Sequence, residues 1–304
     1  MTVMHFQGMD ALVLQAADGA RATVTLHGGH LVSWIPAGGE EMLYLSPRSA
    51  FAAGQAIRGG VPVIFPQFSA RGPLTRHGFA RLLAWQLVRH DVEQGQARAV
   101  LRLTDDAVTR ASWPHGFALE LTLRVGANTL TLALSCLNTG KDSLSFSAAL
   151  HTYLRTANID QTSVQGLAGR RYQDALDGLE KLQSSDLLRF DTEQDRVYPA
   201  VEGDLHLHEL RGGHEHRTAV RRGSAPQLAE RRYSSERRVQ ISQRGFEDVV
   251  VWNPGAAKCA ALADMPADGW RHMVCVEAAR IERPVVLAPG ACWVGQQQLA
   301  RVSG

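Results

Sequence analysis

Two ionisable side chains follow apolar runs in this sequence. Glu277 ends the alternation in MVCVE, and His151 follows FSAAL and precedes two hydroxyl residues. A carboxylate among apolar residues costs free energy unless it is paired, hydrogen-bonded or protonated, and groups with such perturbed pKa values cluster at functional sites. A lone histidine in this setting is also typical of the core or of a sheet edge, so Glu277 is the more informative of the two.

A second group of charged residues stands beside glycines. The stretch AIRGGVPVIFPQFSARGPLTRHGFAR places Arg58 next to Gly59-Gly60, and it places His77 and Arg81 on either side of Gly78-Phe79. Glycine lets the backbone turn sharply or pack closely, and arginine presents planar donors to oxygen-rich ligands. The alternative is structural, with Arg58 paired to a carboxylate elsewhere and His77 capping a loop.

Metal binding is a further alternative, because four histidines lie close together: His206, His208, His214 and His216. Their HLH and HEH spacings are compatible with zinc, but histidines in a flexible stretch are more often solvated. The four cysteines are far apart and form neither a CxxC pair nor a Cys/His metal spacing. We therefore predict no metal and a reduced protein.

The elements that must position these residues have a period of two. Apolar residues alternate along 117–125 and again along 130–136, with Gly126-Ala127-Asn128 between them, which predicts an antiparallel hairpin. Similar short runs, bounded by turn residues, recur through the chain: 22–26, 31–35, 99–103, 239–243, 249–252, 273–277 and 284–287. This pattern predicts an all-β sandwich or barrel rather than βαβ units.

Two segments depart from the strand pattern. Residues 174–184 are predicted to be a short helical or irregular segment. Residues 211–238 contain eight Arg and three Glu but almost no large apolar residues, so they are predicted to contribute little to the core. We expect a mobile surface insertion or an extended hairpin loop there, with an Arg-rich patch for an anionic ligand or partner as the alternative.

Composition limits the class of protein. The 304 residues are 45% hydrophobic and carry a formal net charge of +2, which is typical of a globular chain and gives no global field toward nucleic acid or anionic lipid. The N-terminus lacks a signal-peptide pattern, and no apolar run is long enough to span a membrane. We expect a cytoplasmic protein that binds neither nucleic acid nor membrane, with one or two domains.

Six motifs in order resemble a known family. They are IRGGVPVIFPQF, HGFAR, HTY followed by VQGL and Tyr-Gln-Asp, DRVY, DVVVWNP and MVCVE, and they lie within residues 29–290. Together they resemble the aldose 1-epimerase superfamily, and within it the hexose-6-phosphate mutarotase branch. The resemblance implies a single large antiparallel β-sandwich with a sugar site in a cleft across one sheet. It also implies interconversion of the α and β anomers of a sugar phosphate through the open chain, with no cofactor.

The resemblance also implies catalytic roles for Glu277 and His151. Glu277 would be the base at the anomeric O1 hydroxyl, and His151 would be the acid at the ring oxygen O5. A carboxylate of reference pKa about 4.3 and an imidazole of about 6.5 serve as such a pair near neutral pH when the site holds Glu ionised and His protonated.

Substrate-binding roles follow in the same way. His77 would hydrogen-bond the sugar, Arg58 and Arg81 would bind phosphate and hydroxyl oxygens, and Asp195 of DRVY would hold sugar hydroxyls. For Asp195 the alternative is a turn aspartate paired with Arg196. Because these residues must converge on one cleft, we predict a single domain over residues 1–304 with an Arg-rich insertion at about 211–238, and a monomer.

Two other functions are compatible with the sequence. One is an aldose 1-epimerase for unphosphorylated sugars, although Arg58 and Arg81 favour the phosphorylated substrate. The other is a carbohydrate-binding sandwich without catalysis, for which loss of the His/Glu pair would be typical, whereas His151 and Glu277 are both present.

Overall fold

Strands account for nearly all the regular structure of this chain. A computed structural model describes residues 4–211, 215–222, 225–232 and 235–302. In this part of the chain the strands are β1 (Met4–Phe6), β2 (Met9–Gln15), β3 (Arg21–Thr25), β4 (His30–Ile35), β5 (Val63–Ile64), β6 (Gln86–Glu93), β7 (Gln96–Thr104), β8 (Phe117–Gly126), β9 (Thr129–Asn138), β10 (Leu144–Leu150), β11 (Tyr153–Arg155), β12 (Thr162–Gln165), β13 (Arg171–Asp174), β14 (Glu180–Leu182), β15 (Leu187–Leu188), β16 (Gln194–Tyr198), β17 (Leu205–Arg211), β18 (Glu215–Arg222), β19 (Ala225–Arg232), β20 (Ser235–Arg244), β21 (Asp248–Asn253), β22 (Met273–Leu287) and β23 (Cys292–Val302).

Helices are few and short. Those in the described residues are α1 (Ala107–Ser112), α2 (Gly255–Ala261) and three 3₁₀ turns at Ala80–Leu82, Ile159–Gln161 and Gly269–His272. No helix among the described residues is long and apolar enough to cross a membrane.

Two large antiparallel sheets form the sandwich. One has the strand order β15-β12-β17-β20-β23-β9-β8-β7-β6, and the other has the order β14-β13-β16-β21-β22-β10-β5, with β11 also paired to β22. A four-stranded sheet, β1 to β4, adds to them. The predicted all-β sandwich is therefore confirmed.

The alternating side chains of β8 and β9 form part of the core between the sheets. The two strands pair as the predicted hairpin, with Val125 opposite Leu130. Their alternate apolar residues are fully buried, from Phe117 on β8 to Cys136 on β9. Burying each such side chain contributes roughly 1.5–3 kcal/mol, which favours the register that places this face inward.

The first half of strand β22 is largely apolar on both faces, because other residues of the protein cover both faces there. Val274, Val276 and Ala278 belong to the main core cluster, whereas Cys275 and Ala279 belong to clusters on the opposite face. A polar cleft lies over this opposite face.

The segment 174–184 was predicted to be helical or irregular, and the structure shows a hairpin. Strands β13 and β14 pair through Gln173 and Glu180. The Asp174 and Asp177 carboxylates accept the backbone N–H groups of Leu176 and Leu179, each at 3.0 Å. Such local side-chain bonds stabilise turns in competition with a helix.

The Arg-rich segment is described in part. Strands β17 and β20 pair with each other up to Arg211 and Ser235, and β18 pairs with β19, as the hairpin alternative predicts. Residues 212–214, 223–224 and 233–234 lie outside the described residues, and the predicted role of the segment stays a prediction. Toward its end, Arg237 is buried and bonds the Glu209 carboxylate at 3.1 Å.

Candidate active site

One cleft over the outer face of the eight-stranded sheet has a volume of about 410 Å³, within the usual range for small-molecule sites. It is lined by every site residue that the sequence predicted: Arg58, His77, Arg81, His151, Asp195 and Glu277.

The floor of the cleft consists of two rows of side chains across neighbouring strands. In one row Val197 on β16 lies opposite Val250 on β21, which lies opposite Glu277 on β22. His151 extends this row, because the pairs Leu150–Ala278 and Tyr153–Cys275 on either side keep one register. The sheet therefore brings His151 and Glu277 together although they are far apart in sequence.

The second row contains Asp195, the other acidic residue that the sequence predicted for the site. Asp195 on β16 lies opposite Trp252 on β21, and Trp252 lies opposite Cys275 on β22. Asp195 is thus in a strand and not in a turn. Its neighbour Arg196 bonds Gln183 at 2.7 Å, so the predicted alternative of an Asp195–Arg196 pair is wrong.

His151 and Glu277 are in direct contact. Nε2 of His151 lies 3.2 Å from Oε1 of Glu277, and the side chains are 11% and 1% exposed. Burial raises the pKa of Glu277 well above its usual value and lowers the pKa of His151 well below its own. Burial therefore opposes the expected form with Glu ionised and His protonated, and it favours a neutral pair that shares one proton.

His77 faces the same pair and is held as a neutral donor. Its ring lies 5.7 Å from that of His151, and its Nδ1 accepts the backbone N–H of Ser69 at 3.2 Å. Burial and the nearby guanidinium groups of Arg81 and Arg76 lower the pKa of His77 to about 3. The neutral ring therefore carries its proton on Nε2, which can donate to an oxygen of a ligand.

Arg58 is fixed by two partners. Its Nε donates to Oδ2 of Asp264 at 3.1 Å, and its Nη1 donates to the hydroxyl of Tyr153 at 3.0 Å. The carboxylate pairing proposed as the structural alternative is therefore present, but Arg58 still lines the cleft. The Tyr153 ring stacks on His151 with 4.8 Å between centroids, so Arg58 also helps to support the imidazole.

Two other arginines on the wall, Arg76 and Arg81, form no ion pair among the described residues. Nη2 of Arg81 donates to the carbonyl of Arg76 at 2.9 Å, and within the described residues no carboxylate forms an ion pair with either side chain. Arg71 and Lys258 line the cleft too, but they are paired with Glu282 and Glu193, each at 2.5 Å. Arg76 and Arg81 are therefore the cations best able to receive an anionic group.

The four histidines of the alternative metal site are described only in part. His208 contacts Glu236 at 2.7 Å and Gln165 at 3.0 Å, and no group of three or more potential metal ligands occurs in the described part of the chain. His214 lies outside the described residues. Asn253, from the DVVVWNP motif, is buried away from the cleft and donates to the Met273 carbonyl at 2.8 Å.

Comparison with known proteins identifies the family. The family model for aldose 1-epimerase matches residues 10–300. The chain belongs to the aldose 1-epimerase family. It is thus an isomerase, and the resemblance noted in the sequence is confirmed.

Several known proteins are similar to this chain of the aldose 1-epimerase family over most of its length. A Cenchrus ciliaris protein named "putative glucose-6-phosphate 1-epimerase" is 30% identical over 97% of this chain and 85% of its own length. A protein of the same name from Escherichia coli strain K12 is 34% identical over 91% and 86%. The crystal structure of a "putative mutarotase" from Salmonella typhimurium has a TM-score of 0.84 at 29% identity, covering 99% of this chain and 93% of that one.

Sequence reasoning missed several residues of this epimerase-family cleft. Arg76 directly precedes the HGFAR motif and Tyr153 ends HTY, so the first stood beside a recognised motif and the second within one. Lys258 is one of only three lysines, but it lies in a helix with no motif of its own. Asp264 reaches Arg58 from 206 residues away, and no sequence pattern indicated that contact.

Proposed function

We propose that this chain is a hexose-6-phosphate mutarotase that interconverts the α and β anomers of glucose 6-phosphate and related sugars. The observation that carries the proposal is the buried His151–Glu277 pair on the floor of a cleft whose wall holds Arg76 and Arg81 without carboxylate partners. The pair is suited to proton transfer, and the arginines are suited to a phosphate group. The names of the relatives from Cenchrus ciliaris and Escherichia coli also refer to glucose 6-phosphate.

The reaction follows from the two side chains in turn. Glu277 accepts the proton of the O1 hydroxyl while His151 donates a proton to ring O5, so the C1–O5 bond breaks and the open-chain aldehyde forms. Rotation about the C1–C2 bond presents the other face of the aldehyde. The reverse transfers then close the ring as the opposite anomer and return both groups to their starting states.

Burial of the pair is compatible with this cycle. The reactive form, carboxylate and imidazolium, contains the same number of protons as the neutral form that burial favours. A single transfer across the 3.2 Å contact therefore creates it without a proton from solvent. Sugar hydroxyls that donate to the carboxylate stabilise the charged form.

The remaining residues of the cleft bind different parts of the substrate. The Nε2–H of His77 donates near the ring oxygen, and Asp195, whose pKa is raised by burial, accepts from hydroxyls. Arg81 and Arg76 bind the phosphate, with Arg58 held between Asp264 and Tyr153 to contact the sugar.

Exchange NMR at anomeric equilibrium tests this proposal. We expect the wild type to accelerate α/β exchange of glucose 6-phosphate far more than that of glucose, after subtraction of the uncatalysed rate. Glu277→Gln and His151→Asn should each lose at least about 100-fold in kcat, since positioned general acids and bases contribute roughly 10²–10⁴-fold. Circular dichroism confirms that the variants are folded.

The outcomes separate the open alternatives. Equal acceleration of both sugars would support an aldose 1-epimerase for unphosphorylated substrates. Binding of either sugar with no acceleration would support a carbohydrate-binding sandwich. Full activity in both variants would remove His151 and Glu277 from the mechanism.

A further inference from the structure

Two polar side chains are buried in the core directly beneath the catalytic pair. Thr152 follows His151 and is fully buried, and Gln297 on β23 of the opposite sheet is 1% exposed. Oγ1 of Thr152 donates to Oε1 of Gln297 at 2.5 Å, and Nε2 of Gln297 donates to the carbonyl of Val276 at 3.1 Å. One glutamine therefore reaches across the sandwich to the residues next to both His151 and Glu277.

The sheet has a defect at this point. The backbone N–H of Val276 donates to the carbonyl of Thr152 at 3.1 Å, as a regular antiparallel ladder requires. The return bond from the Thr152 N–H is missing, because this group donates to the Leu150 carbonyl at 3.0 Å. The turn separates β10 from β11, and it leaves the Val276 carbonyl without its usual partner from the neighbouring strand.

Gln297 replaces the missing bond. Its amide donates to the Val276 carbonyl that the Thr152 N–H would otherwise serve, and its oxygen accepts from the Thr152 hydroxyl. The result is a closed ring of hydrogen bonds through Gln297, Thr152 and Val276. Buried polar groups cost free energy unless they are satisfied, and this ring satisfies them at the point where His151 leaves the regular strand.

We propose that Gln297, acting with Thr152, is a positioning residue that sets the distance and orientation between His151 and Glu277. Among the described residues, the hydrogen bonds of the Gln297 side chain go to Thr152 and Val276 and not to His151 or Glu277. It fixes the backbone on which each of them stands, and it does so from the other sheet. The inference rests on the proposed function, because it assigns Gln297 to the proton-transfer geometry of the mutarotase reaction.

Substitutions that remove the ring without changing side-chain volume test this role. In Gln297→Met and Thr152→Val we expect kcat for glucose 6-phosphate to fall about tenfold, with KM changed less than twofold, since small displacements of reacting groups cost large factors in rate. Thr152→Ser keeps the hydroxyl and should restore most of the loss. The double variant should lose no more than Gln297→Met alone, because both remove one unit.

A core substitution remote from the ring provides the control. Leu101→Ala on β7, three strands away from β23, faces the same core and should lower the thermal midpoint, but it should leave kcat and its pH profile at wild-type values. A comparable fall in kcat in Leu101→Ala would show that general destabilisation explains the effect. Unchanged kcat in Gln297→Met, with an active wild type, would overturn the proposal.

A second measurement does not depend on activity. Imidazole resonances of His151, assigned by their loss in His151→Asn, report the His151–Glu277 contact by heteronuclear NMR. We expect them to shift in Gln297→Met and Thr152→Val and to stay unchanged in Leu101→Ala. Unchanged resonances in the first two variants would refute the positioning role, whereas an inactive wild type with shifted resonances would refute only the proposed function.

Discussion

Arg58 and Arg81 differ in how their charges are balanced. Arg58 bonds Asp264 and Tyr153, whereas the Arg81 side chain donates to the Arg76 carbonyl, a neutral acceptor. Burial, with the neighbouring guanidinium groups of Arg58 and Arg76, lowers the pKa of Arg81 although Tyr153 and Asp264 act in the opposite direction. This is the sign expected of a cation in a partly desolvated wall with no opposite charge in ion-pair contact among the described residues. A bound phosphate would supply that charge.

Arg81→Gln tests this difference at the residue scale. We expect KM for glucose 6-phosphate to rise about 10- to 100-fold with a smaller change in kcat, since a hydrogen bond to a charged group contributes roughly 1.5–3 kcal/mol. The basal exchange of glucose should hardly change. Arg124→Gln, an exposed substitution on β8 outside the cleft, is the matched control, and an equal rise in KM in both variants would contradict the assignment.

The dependence of kcat on pH follows from the shared proton. The pair loses this proton only above the raised pKa of Glu277, and it gains a second proton only below the lowered pKa of His151. We therefore expect kcat at saturating substrate to vary less than threefold between pH 5 and 8. A tenfold fall in kcat centred near 6.5, the reference pKa of histidine, would contradict this account.

At the scale of elements, the loop from Arg58 to Pro62 joins the cleft wall to the floor. The His151 N–H donates to the Pro62 carbonyl at 3.1 Å, and the Tyr153 N–H donates to the Gly60 carbonyl at 2.9 Å. Gly60 has φ +59°, and a Cβ there would lie 2.1 Å from the Leu31 carbonyl oxygen. A residue with a side chain would therefore displace the backbone that supports His151.

Gly60→Ala and Gly54→Ala form a matched pair for this loop. Both glycines have positive φ, but a Cβ at Gly54 meets no atom within 4 Å. We expect Gly54→Ala to cost about 1 kcal/mol from the left-handed conformation alone. Gly60→Ala should cost at least about 3 kcal/mol, because close packing adds to that strain. Urea unfolding measures both, and similar losses would show that the close approach has no energetic weight.

The extent to which sequence predicted these elements depended on whether the signal was local. The β8–β9 hairpin was predictable because alternation and a short loop are both visible in consecutive residues. The break at His151-Thr152 was not, because it depends on the carbonyl of Pro62 and the amide of Gln297. The turn at Asp174 was misjudged because two carboxylates bond the backbone there, a contact that periodicity does not show.

The site divides in the same way. His151, Glu277 and Arg58 stood out by residue type and motif, and the structure places them in one cleft. Their ionisation could not be predicted, because it depends on burial that only the fold creates. Asp264 and Gln297 were missed because each acts through one long-range contact with no motif around it.

At the scale of the whole molecule, one buried cluster runs through all the large sheets. It includes Leu12 of the four-stranded sheet, Leu132 of the nine-stranded sheet and Val276 of the eight-stranded sheet. This continuity supports our prediction of a single domain. The cleft residues from Arg58 to Glu277 depend on this core for their relative positions.

His30 is a buried link in this arrangement. It stands on β4, and its Nε2 bonds the Gly59 carbonyl at 2.7 Å, so it joins the four-stranded sheet to the loop that holds Arg58. Burial lowers the pKa of His30 to about 3. Between that value and about 6.5, the unfolded chain therefore binds a proton at this position that the folded chain does not.

Acidification should consequently destabilise the fold through His30. Because its folded pKa is the lower one, stability is lost as pH falls below the unfolded value, by about 2 kcal/mol between pH 7 and pH 5. Glu277, with a raised pKa, acts in the opposite direction, so the total slope mixes several groups. The difference between the wild type and His30→Gln isolates one of them.

We expect the free energy of unfolding to fall by about 2 kcal/mol more in the wild type than in His30→Gln over this interval. Glutamine keeps an N–H that can reach the Gly59 carbonyl but does not titrate, so the contribution of every other group cancels in the comparison. Urea unfolding at pH 7 and pH 5 measures the difference. Parallel losses in the two proteins would mean that His30 takes up its proton in the folded state, and that its bond to the Gly59 carbonyl survives in the imidazolium form.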